Sequence, residues 1–260
     1  MSDWQALAEA LGRRFVVVEQ SVEIGDARFA FVKPRSPDEL ISEEDFNRDE
    51  RLPYWADVWP SALCLAEQIL SATDQTGSRS EKIDVSRPIF PPQRSDFRVL
   101  SPALKLLPGG HAMLELGCGV GCVCAAAAAR GWQVVATDYY REALEFTEVN
   151  LARNGLPRPT TRLVDWRSFP ADLGTFDLVV AADVLYEKAY PSLVASAVEK
   201  SLAPGGLALI ADPGRRGAVP FQQECHDRGL QIHHRARAPY HNGSVQHTVD
   251  LYEIRRGEAP

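Results

Sequence analysis

Short apolar runs alternate with helix-like segments along the second half of the chain. The strand-like runs are AMLEL, WQVVATD, TTRLVDW, FDLVVAAD and GLALIAD. Helices are predicted between them over CVCAAAAAR, REALEFTEVNLARNG and SLVASAVEKSL, the second of which ends in an Asn-Gly cap. This alternation predicts an α/β fold, in which a parallel sheet carries helices on both faces.

Both ends of the chain show a different pattern, that of β-hairpins. GLQIHHRARAPY and VQHTVDLYEIRR flank His241–Ser244 and predict an antiparallel hairpin added to the parallel sheet. Near the N-terminus, residues 15–33 predict a second hairpin that turns at Gly25 and Asp26.

A polar stretch separates the N-terminal elements from the alternating region. SALCLAEQIL, residues 61–70, predicts a helix with Pro60 at its first position. Residues 71–98 have little apolar periodicity, which predicts a flexible surface insertion and not a second domain. The chain therefore divides into an N-terminal segment of hairpin, aromatic stretch and helix over 1–70, the insertion, and a core over 99–260.

Composition narrows the classes of function. The 260 residues are 45% hydrophobic, enough for one large core, and the formal net charge is -7. A dedicated binder of nucleic acid or anionic membranes would be basic, so we expect neither partner. No apolar run approaches a membrane span, and the N-terminus has no signal-peptide pattern. Oligomeric state stays open.

The five cysteines do not form paired C-x-x-C sets, and their number is odd. A disulfide framework is therefore not expected, and a reducing cytoplasm fits best. We interpret the cysteines near the glycine-rich stretch as small buried hydrophobes, with no metal site.

The stretch LELGCGVGC follows the first strand of the alternating region and opens its first helix. Its glycines, Gly117, Gly119 and Gly121, let the backbone approach a ligand, which the unpaired N–H groups of a helix start can bind. The spacing is G-x-G-x-G and departs from the dinucleotide fingerprint, whose third small residue would be Cys122. Glu115 lies two residues before the first glycine; it either faces the ligand or caps a turn.

Two more carboxylates follow the next two strands. Asp138, followed by Tyr139, ends the second strand, where an acid accepts hydrogen bonds from ribose hydroxyls; alternatively, it N-caps the next helix. Asp165 ends the third strand beside Trp166, which suits an adenine amino group and a flat apolar wall, although the tryptophan could equally be core. Three acids without a phosphate-binding lysine favour a cationic, phosphate-free ligand such as S-adenosylmethionine.

The motifs LELGCGVG, ATD, VDW and PGG, with the terminal hairpin, resemble those of the class I S-adenosylmethionine-dependent methyltransferases from about Met113 onward. The resemblance implies a Rossmann-like, seven-stranded, mostly parallel sheet and S-adenosylmethionine as cofactor. The residues expected to bind the cofactor are Trp59, Glu115, Gly117, Cys118, Gly119, Gly121, Asp138, Tyr139, Asp165, Trp166 and Ala182.

The end of the fourth strand, AADVLYE, restricts the methyl acceptor. It has neither the (D/N)-P-P-(Y/F) run of DNA amine methylases nor the acid cluster with Asn of metal-dependent O-methyltransferases. It has D-x-x-Y instead, with Asp183 and Tyr186. The two side chains would meet at one point if the strand ran directly into a helical turn.

PYWADVWPS, this D-x-x-Y and a later DPGR together resemble the seven-strand protein lysine methyltransferases, closest to the branch that modifies the electron-transfer flavoprotein beta subunit. The resemblance implies that Trp59 lines the cofactor pocket and that Asp183 and Tyr186 hold the lysine of a protein substrate. The N-terminal segment would then cap cofactor and substrate.

Other functions remain open at this level. A small-molecule N-methyltransferase acting on an amine or pyridine nitrogen is the main alternative; a closed pocket would favour it, and an open one a protein. A non-catalytic S-adenosylmethionine-binding module and a nicotinamide-dependent oxidoreductase are weaker. Individual residues also have structural interpretations: Tyr54 and Trp55 as a hydrophobic lid, Asp183 as a helix cap, and Arg215 with Arg216 as a solvated pair or a grip on an acidic substrate.

Overall fold

A computed structural model describes residues 3–40, 53–72, 111–242 and 245–257. Nearly all of the expected insertion, its residues 73–98, lies outside these ranges, so its flexibility stays a prediction. In chain order, the helices and strands are α1 (Asp3–Arg14), β1 (Val17–Ile24), β2 (Ala27–Pro34), α2 (Pro60–Ser71), β3 (Ala112–Leu116), α3 (Cys122–Ala129), β4 (Gln133–Asp138), α4 (Arg141–Arg153), β5 (Thr160–Leu163), β6 (Phe176–Ala182), α5 (Tyr190–Ser201), β7 (Leu202–Asp212), α6 (Ala218–Asp227), β8 (Leu230–Asn242) and β9 (Val245–Arg256).

Seven strands of the described residues form the central sheet, in the order β5-β4-β3-β6-β7-β9-β8. The first five are parallel, whereas β9 pairs antiparallel with both β7 and β8. The expected fold class is therefore confirmed. Strand order reverses between β3 and β6, and ligands of open α/β sheets bind at the carboxyl ends of the strands at such a point.

Apolar side chains cover both faces of the sheet. On one face, α2 and α3 pack with Leu65, Val123 and Leu209 in the core; on the other, α5 and α6 pack with Val198 and Phe221. Helix α3, CVCAAAAA, is buried over all but its last residue, because small side chains let it lie close to its neighbours.

Two helices, α1 and α6, were absent from the sequence prediction. In α1, Trp4, Leu7, Ala8 and Leu11 recur at helical spacing, and Leu11 is buried in a cluster formed with α4. The signal was therefore present in the sequence. Within the described residues, no helix is long and apolar enough to cross a bilayer.

The N-terminal hairpin, β1 with β2, turns at Gly25 as predicted and is fastened to α4 by an asparagine side chain. Asn150 accepts a hydrogen bond from the Val32 N–H at 2.7 Å and donates to the Val32 carbonyl at 2.9 Å. One turn later, Asn154 makes the same pair of bonds with Ala30, at 2.8 and 2.9 Å. The amides thus occupy the place of a neighbouring strand along β2.

Candidate functional site

A cavity lies at the carboxyl ends of β3, β4 and β6, under the N-terminal loop that precedes α2. It holds about 930 Å³ of empty space, its open mouth included, which is within the usual range for ligand pockets. All of the predicted site residues except Gly121 line it: Trp59, Glu115, Gly117, Cys118, Gly119, Asp138, Tyr139, Asp165, Trp166, Ala182, Asp183 and Tyr186.

Gly117 and Gly119 lie where side chains would fill space next to the cavity. A Cβ on Gly117 would lie 3.3 Å from Val184 Cγ1, and one on Gly119 would lie 3.0 Å from the Trp55 carbonyl oxygen. Both residues have positive φ, +76° and +54°, which favours glycine. The loop therefore presents bare backbone between the N-terminal segment and the end of β6.

Gly121 has a different role from the one expected. It is the N-cap of α3 with φ +87°, and a Cβ there would lie 2.9 Å from both Cγ2 and Oγ1 of Thr147. Thr147 belongs to α4, so this glycine allows α3 and α4 to approach each other. Its effect on the cavity comes through helix packing.

Glu115 is 2% exposed and accepts a hydrogen bond from the Cys124 thiol at 2.8 Å. Burial raises the pKa of the Glu115 carboxyl to about 8; the Cys124 hydrogen bond opposes this rise and the nearby Asp138 charge reinforces it. Near neutral pH, the free site therefore holds a neutral acid that a bound cation can ionise.

Asp138 organises the glycine loop. One of its oxygens accepts the Gly119 N–H and the other the Tyr140 N–H, both at 3.0 Å. Burial raises the Asp138 pKa to about 6, although these backbone hydrogen bonds lower it. The N-cap of α4 is Tyr140, so the helix-capping interpretation of Asp138 does not hold.

Asp165 and Trp166 stand at the far wall of the cavity. Asp165 caps the short turn after β5 and is paired with Arg167, whose side chain contacts it at 2.7 Å. Trp166 meets Tyr190 edge to face at 5.2 Å between ring centroids. Both of its interpretations apply, because it packs against the core under α5 and also lines the cavity.

An aromatic row runs from this wall to the mouth. It consists of Trp166, Tyr190, Tyr186, Tyr54 and Trp59, in edge-to-face contacts whose ring centroids are 5.2, 5.1, 5.1 and 6.0 Å apart in that order. Tyr190 was missed from the sequence, although it follows Tyr186 by only four residues. Aromatic rings that line a cavity can attract a cation through their π-faces.

Trp55 and Trp59, which both precede α2, differ in their surroundings. Trp59 lines the cavity and donates its indole N–H to the Tyr54 carbonyl at 2.7 Å. Trp55 is 9% exposed and packs on Phe146 and Phe15, so most of its ring belongs to the core. Trp55 also lines the cavity, and the lid interpretation suits it better than Tyr54, which contacts Trp59 and Tyr186 in the aromatic row.

Asp183 directly follows β6 and is the one non-glycine residue with positive φ among the described residues, at +57°. The strand does not run into a helical turn as the sequence suggested; this left-handed residue reverses the chain, and Asp183 and Tyr186 still line the same cavity. The Asp183 side chain is 4% exposed and forms a bidentate pair with Arg215, at 2.7 and 3.0 Å. Arg215 is therefore not a freely solvated residue.

The donor set of the cavity fits S-adenosylmethionine. Within the described part of the chain, its lining includes Glu115, Asp138, Asp165 and Asp183 but neither lysine nor arginine. Bare glycine backbone and carboxylates suit an adenosyl group with an ammonium and a sulfonium, and do not suit a pyrophosphate. All described cysteines are buried and free, and the described residues contain no cluster able to hold a metal ion.

Comparisons with known proteins agree with this fit. A family profile described as "Methyltransferase domain" matches residues 114–210. EEF1A lysine methyltransferase 3 of Mus musculus is 31% identical over 203 residues, which cover 72% of this chain and 81% of that protein. Protein N-lysine methyltransferase METTL21A of Xenopus tropicalis is 35% identical over 88 residues, 32% of this chain and only 40% of that protein's length.

Among solved structures, precorrin-6y C5,15-methyltransferase from Geobacter metallireducens has a TM-score of 0.51 at 16% identity, covering 61% of this chain and 88% of that one. At that identity the likeness shows the fold alone. The strand order, the cavity and the 203-residue match together identify S-adenosylmethionine as the cofactor. The chain belongs to the class I S-adenosylmethionine-dependent methyltransferases.

Proposed function

We propose that this protein transfers a methyl group from S-adenosylmethionine to the side-chain amine of a lysine in a protein substrate. The observation that carries the proposal is the aromatic row, which leads from the cavity to its mouth with Asp183 beside it. Tyr186, in the middle of the row, is 38% exposed, so within the described residues the acceptor end opens to solvent. An open aromatic channel suits a long side chain offered by another protein.

Chemistry at this end requires a neutral amine, whose pKa in free lysine is about 10.4. When bound, S-adenosylmethionine supplies a sulfonium methyl group; the amine lone pair forms the new N–C bond as the C–S bond breaks and its electron pair returns to sulfur. The proton released overall is the one that the lysine ammonium gives to water before transfer, so the methylated product remains a cation. Asp183 accepts an N–H of the amine and fixes its direction, and such alignment supplies most of the acceleration.

The aromatic row has two roles in this proposal. Its side walls remove water from the lysine methylenes, which disfavours the charged ammonium before transfer. Its π-faces then stabilise the methylated cation by about 0.5–2 kcal/mol. Although Tyr186 as a whole is 38% exposed, desolvation of its hydroxyl and the neighbouring Tyr190 hold its pKa well above the usual range, so the hydroxyl stays protonated. It therefore acts as a hydrogen-bonding group and not as a base.

Only sequence similarity to other methyltransferases narrows the choice of the methyl-accepting protein. The P-Y-W-A, W-P and D-P-G-R runs make the electron-transfer flavoprotein beta subunit the first candidate. The names of the two lysine methyltransferases described above support a protein acceptor of some kind, and one of them names EEF1A.

The test is methyl transfer from isotopically labelled S-adenosylmethionine to a cell extract separated by size, with purified electron-transfer flavoprotein beta subunit in a parallel reaction. Wild type, Asp183→Asn and the half-buried control Glu187→Gln are compared. We expect label on lysine in a protein band, lost in Asp183→Asn and retained in Glu187→Gln. Label confined to small molecules would replace the proposal with a metabolite N-methyltransferase. Cofactor binding without any label would indicate a non-catalytic module.

A further inference from the structure

Asp183, the carboxylate at the acceptor end of the cavity, is fixed in place by its backbone conformation, by a backbone hydrogen bond and by an ion pair. The Asp183 N–H donates to the Ala211 carbonyl at 2.9 Å, its φ is +57°, and both side-chain oxygens receive N–H groups from Arg215. A bidentate pair uses one lone pair on each oxygen. The remaining lone pairs are available to an acceptor amine.

Arg215 is itself placed by the end of β7. The buried Asp212 accepts the backbone N–H groups of Gly214 and Arg215 at 2.9 and 2.7 Å, and Gly214 has φ +87°. This tight turn directs the guanidinium at Asp183, while the Arg215 side chain remains 38% exposed. Two strand ends therefore build the ion pair, one supplying the anion and the other the cation.

We propose that Arg215 is a positioning residue that cancels the charge of Asp183, so that the site orients an amine without stabilising its ammonium form. The proposal rests on amine methylation as the proposed function. An unpaired buried carboxylate would attract the lysine ammonium and raise its pKa, which would deplete the nucleophile. With Arg215 in place, Asp183 acts as a hydrogen-bond acceptor in a pair of zero net charge.

The other titratable groups around the Asp183–Arg215 pair do not neutralise the charge of Asp183 in place of Arg215. Asp212 lies behind Arg215, and burial raises its pKa, opposed by the hydrogen bonds from the Arg215 and Gly214 N–H groups. Tyr54 lies near Arg215, and Tyr186 contacts Tyr54 in the aromatic row. Glu115, Asp138 and Asp165 also line the cavity, as does Asp57, which is paired with Lys33 at 2.9 Å. Arg215 is therefore the cation that decides how Asp183 acts on an incoming amine.

A first test needs no methyl acceptor. Sinefungin is a cofactor analogue with a charged amine in place of the sulfonium methyl group, and S-adenosylhomocysteine lacks both. Calorimetry gives the ratio of their dissociation constants for each variant. In Arg215→Gln, we expect the ratio to shift toward sinefungin by about tenfold or more, since Asp183 then faces the amine alone. In Asp183→Asn the unpaired Arg215 should shift the ratio the other way, and Arg216→Gln should leave it unchanged.

A ratio that stays within about twofold of wild type in both Arg215→Gln and Asp183→Asn overturns the proposal. The opposite shifts expected of the two variants also protect the test against loss of folding in one of them. S-adenosylhomocysteine affinity serves as the control for an intact site.

The pH dependence of transfer gives a second test, with the protein acceptor labelled as described above. In Arg215→Gln, the acidic limb of the kcat profile should move up by about one pH unit or more, with activity recovering at high pH. An equal loss at every pH would mean that Arg215 only supports the fold, and would overturn the proposal. If no protein is labelled by wild type, the proposed function fails, but the affinity ratio still decides the role of Arg215.

Discussion

The Cys124 thiol donates to the Glu115 carboxylate at 2.8 Å, so the acid of the glycine loop has a thiol from α3 as its hydrogen-bond donor. Both residues are buried, so solvent does not compete for this hydrogen bond. Their contact gives the cofactor site a group whose protonation state changes on binding.

We expect cofactor binding near pH 7 to release up to about one proton from Glu115, because its pKa of about 8 in the free protein falls beside the ligand's positive charges. The measurement is calorimetry of S-adenosylmethionine binding in phosphate and in Tris, whose ionisation enthalpies differ. Glu115→Gln provides the reference for protons released elsewhere. Equal proton release by the two proteins would contradict the assignment.

The same raised pKa affects stability. Because the folded-state value of about 8 lies above the ordinary 4.5, the contribution of Glu115 is fully present below about 4.5 and is lost as pH rises through 8. Between about pH 6 and pH 9 the free protein should therefore lose roughly 3 kcal/mol that Glu115→Gln does not lose, at about 1.4 kcal/mol per pH unit up to the folded pKa. Urea unfolding of both proteins at the two pH values measures this; parallel curves would refute it.

Gly121→Ala should destabilise the protein by about 3 kcal/mol, since the added Cβ meets Thr147 at 2.9 Å and the residue has φ +87°. Gly155→Ala is the matched control: its φ is +67°, and a Cβ there has nothing within 4 Å, so strain alone should cost about 1 kcal/mol. Chemical unfolding gives both values. Equal losses would show that contact with α4 is unimportant.

Asn150→Ala should cost about 2–4 kcal/mol, because it leaves the Val32 N–H, the Val32 carbonyl and the buried Val120 carbonyl without their partner. Asn154 makes a similar number of bonds but is half-buried, so water replaces part of them and Asn154→Ala should cost about 1 kcal/mol. Hydrogen exchange at the β2 amides locates the effect. Unchanged protection at Val32 in Asn150→Ala would oppose this interpretation.

Tyr186→Phe separates the ring from the hydroxyl. The ring contacts with Tyr54 and Tyr190, both 5.1 Å between centroids, should survive, so we expect a loss in kcat of about tenfold from the missing hydrogen bond. Tyr186→Ala interrupts the aromatic row and should lose about a hundredfold or more. Cofactor affinity is the control and should stay unchanged in Tyr186→Phe. Equal kcat values for the two variants would mean that the ring is not used.

Much of the fold could be predicted from the sequence, because apolar periodicity and turn residues are local features of the chain. The alternation of apolar runs with helices located β3 through β7, and the turn at Gly25 located the first hairpin. Helices α1 and α6 were not predicted: α1 has helical spacing of Trp4, Leu7 and Leu11, whereas no side-chain cap marks where α6 begins.

The sequence predicts which residues line the candidate site, but it does not predict which of them pair with one another. Carboxylates and glycines at the strand ends lie close together because parallel strands end at one edge of the sheet. The order of strands and helices predicted from the sequence is enough to apply this rule. The bond between Asp183 and Arg215 joins positions 32 residues apart and depends on a left-handed residue at one end and a tight turn at the other. No periodicity encodes such a contact. The helix-packing role of Gly121 was hidden for the same reason, since it depends on Thr147.

The asparagine contacts along β2 also bear on how copies of this chain behave toward one another. A strand edge with free N–H and C=O groups can pair with the same edge of another molecule. Along β2, the side-chain amides of Asn150 and Asn154 occupy that edge at Val32 and Ala30. The residues that hold the hairpin in place therefore also protect the protein from aggregation through β2.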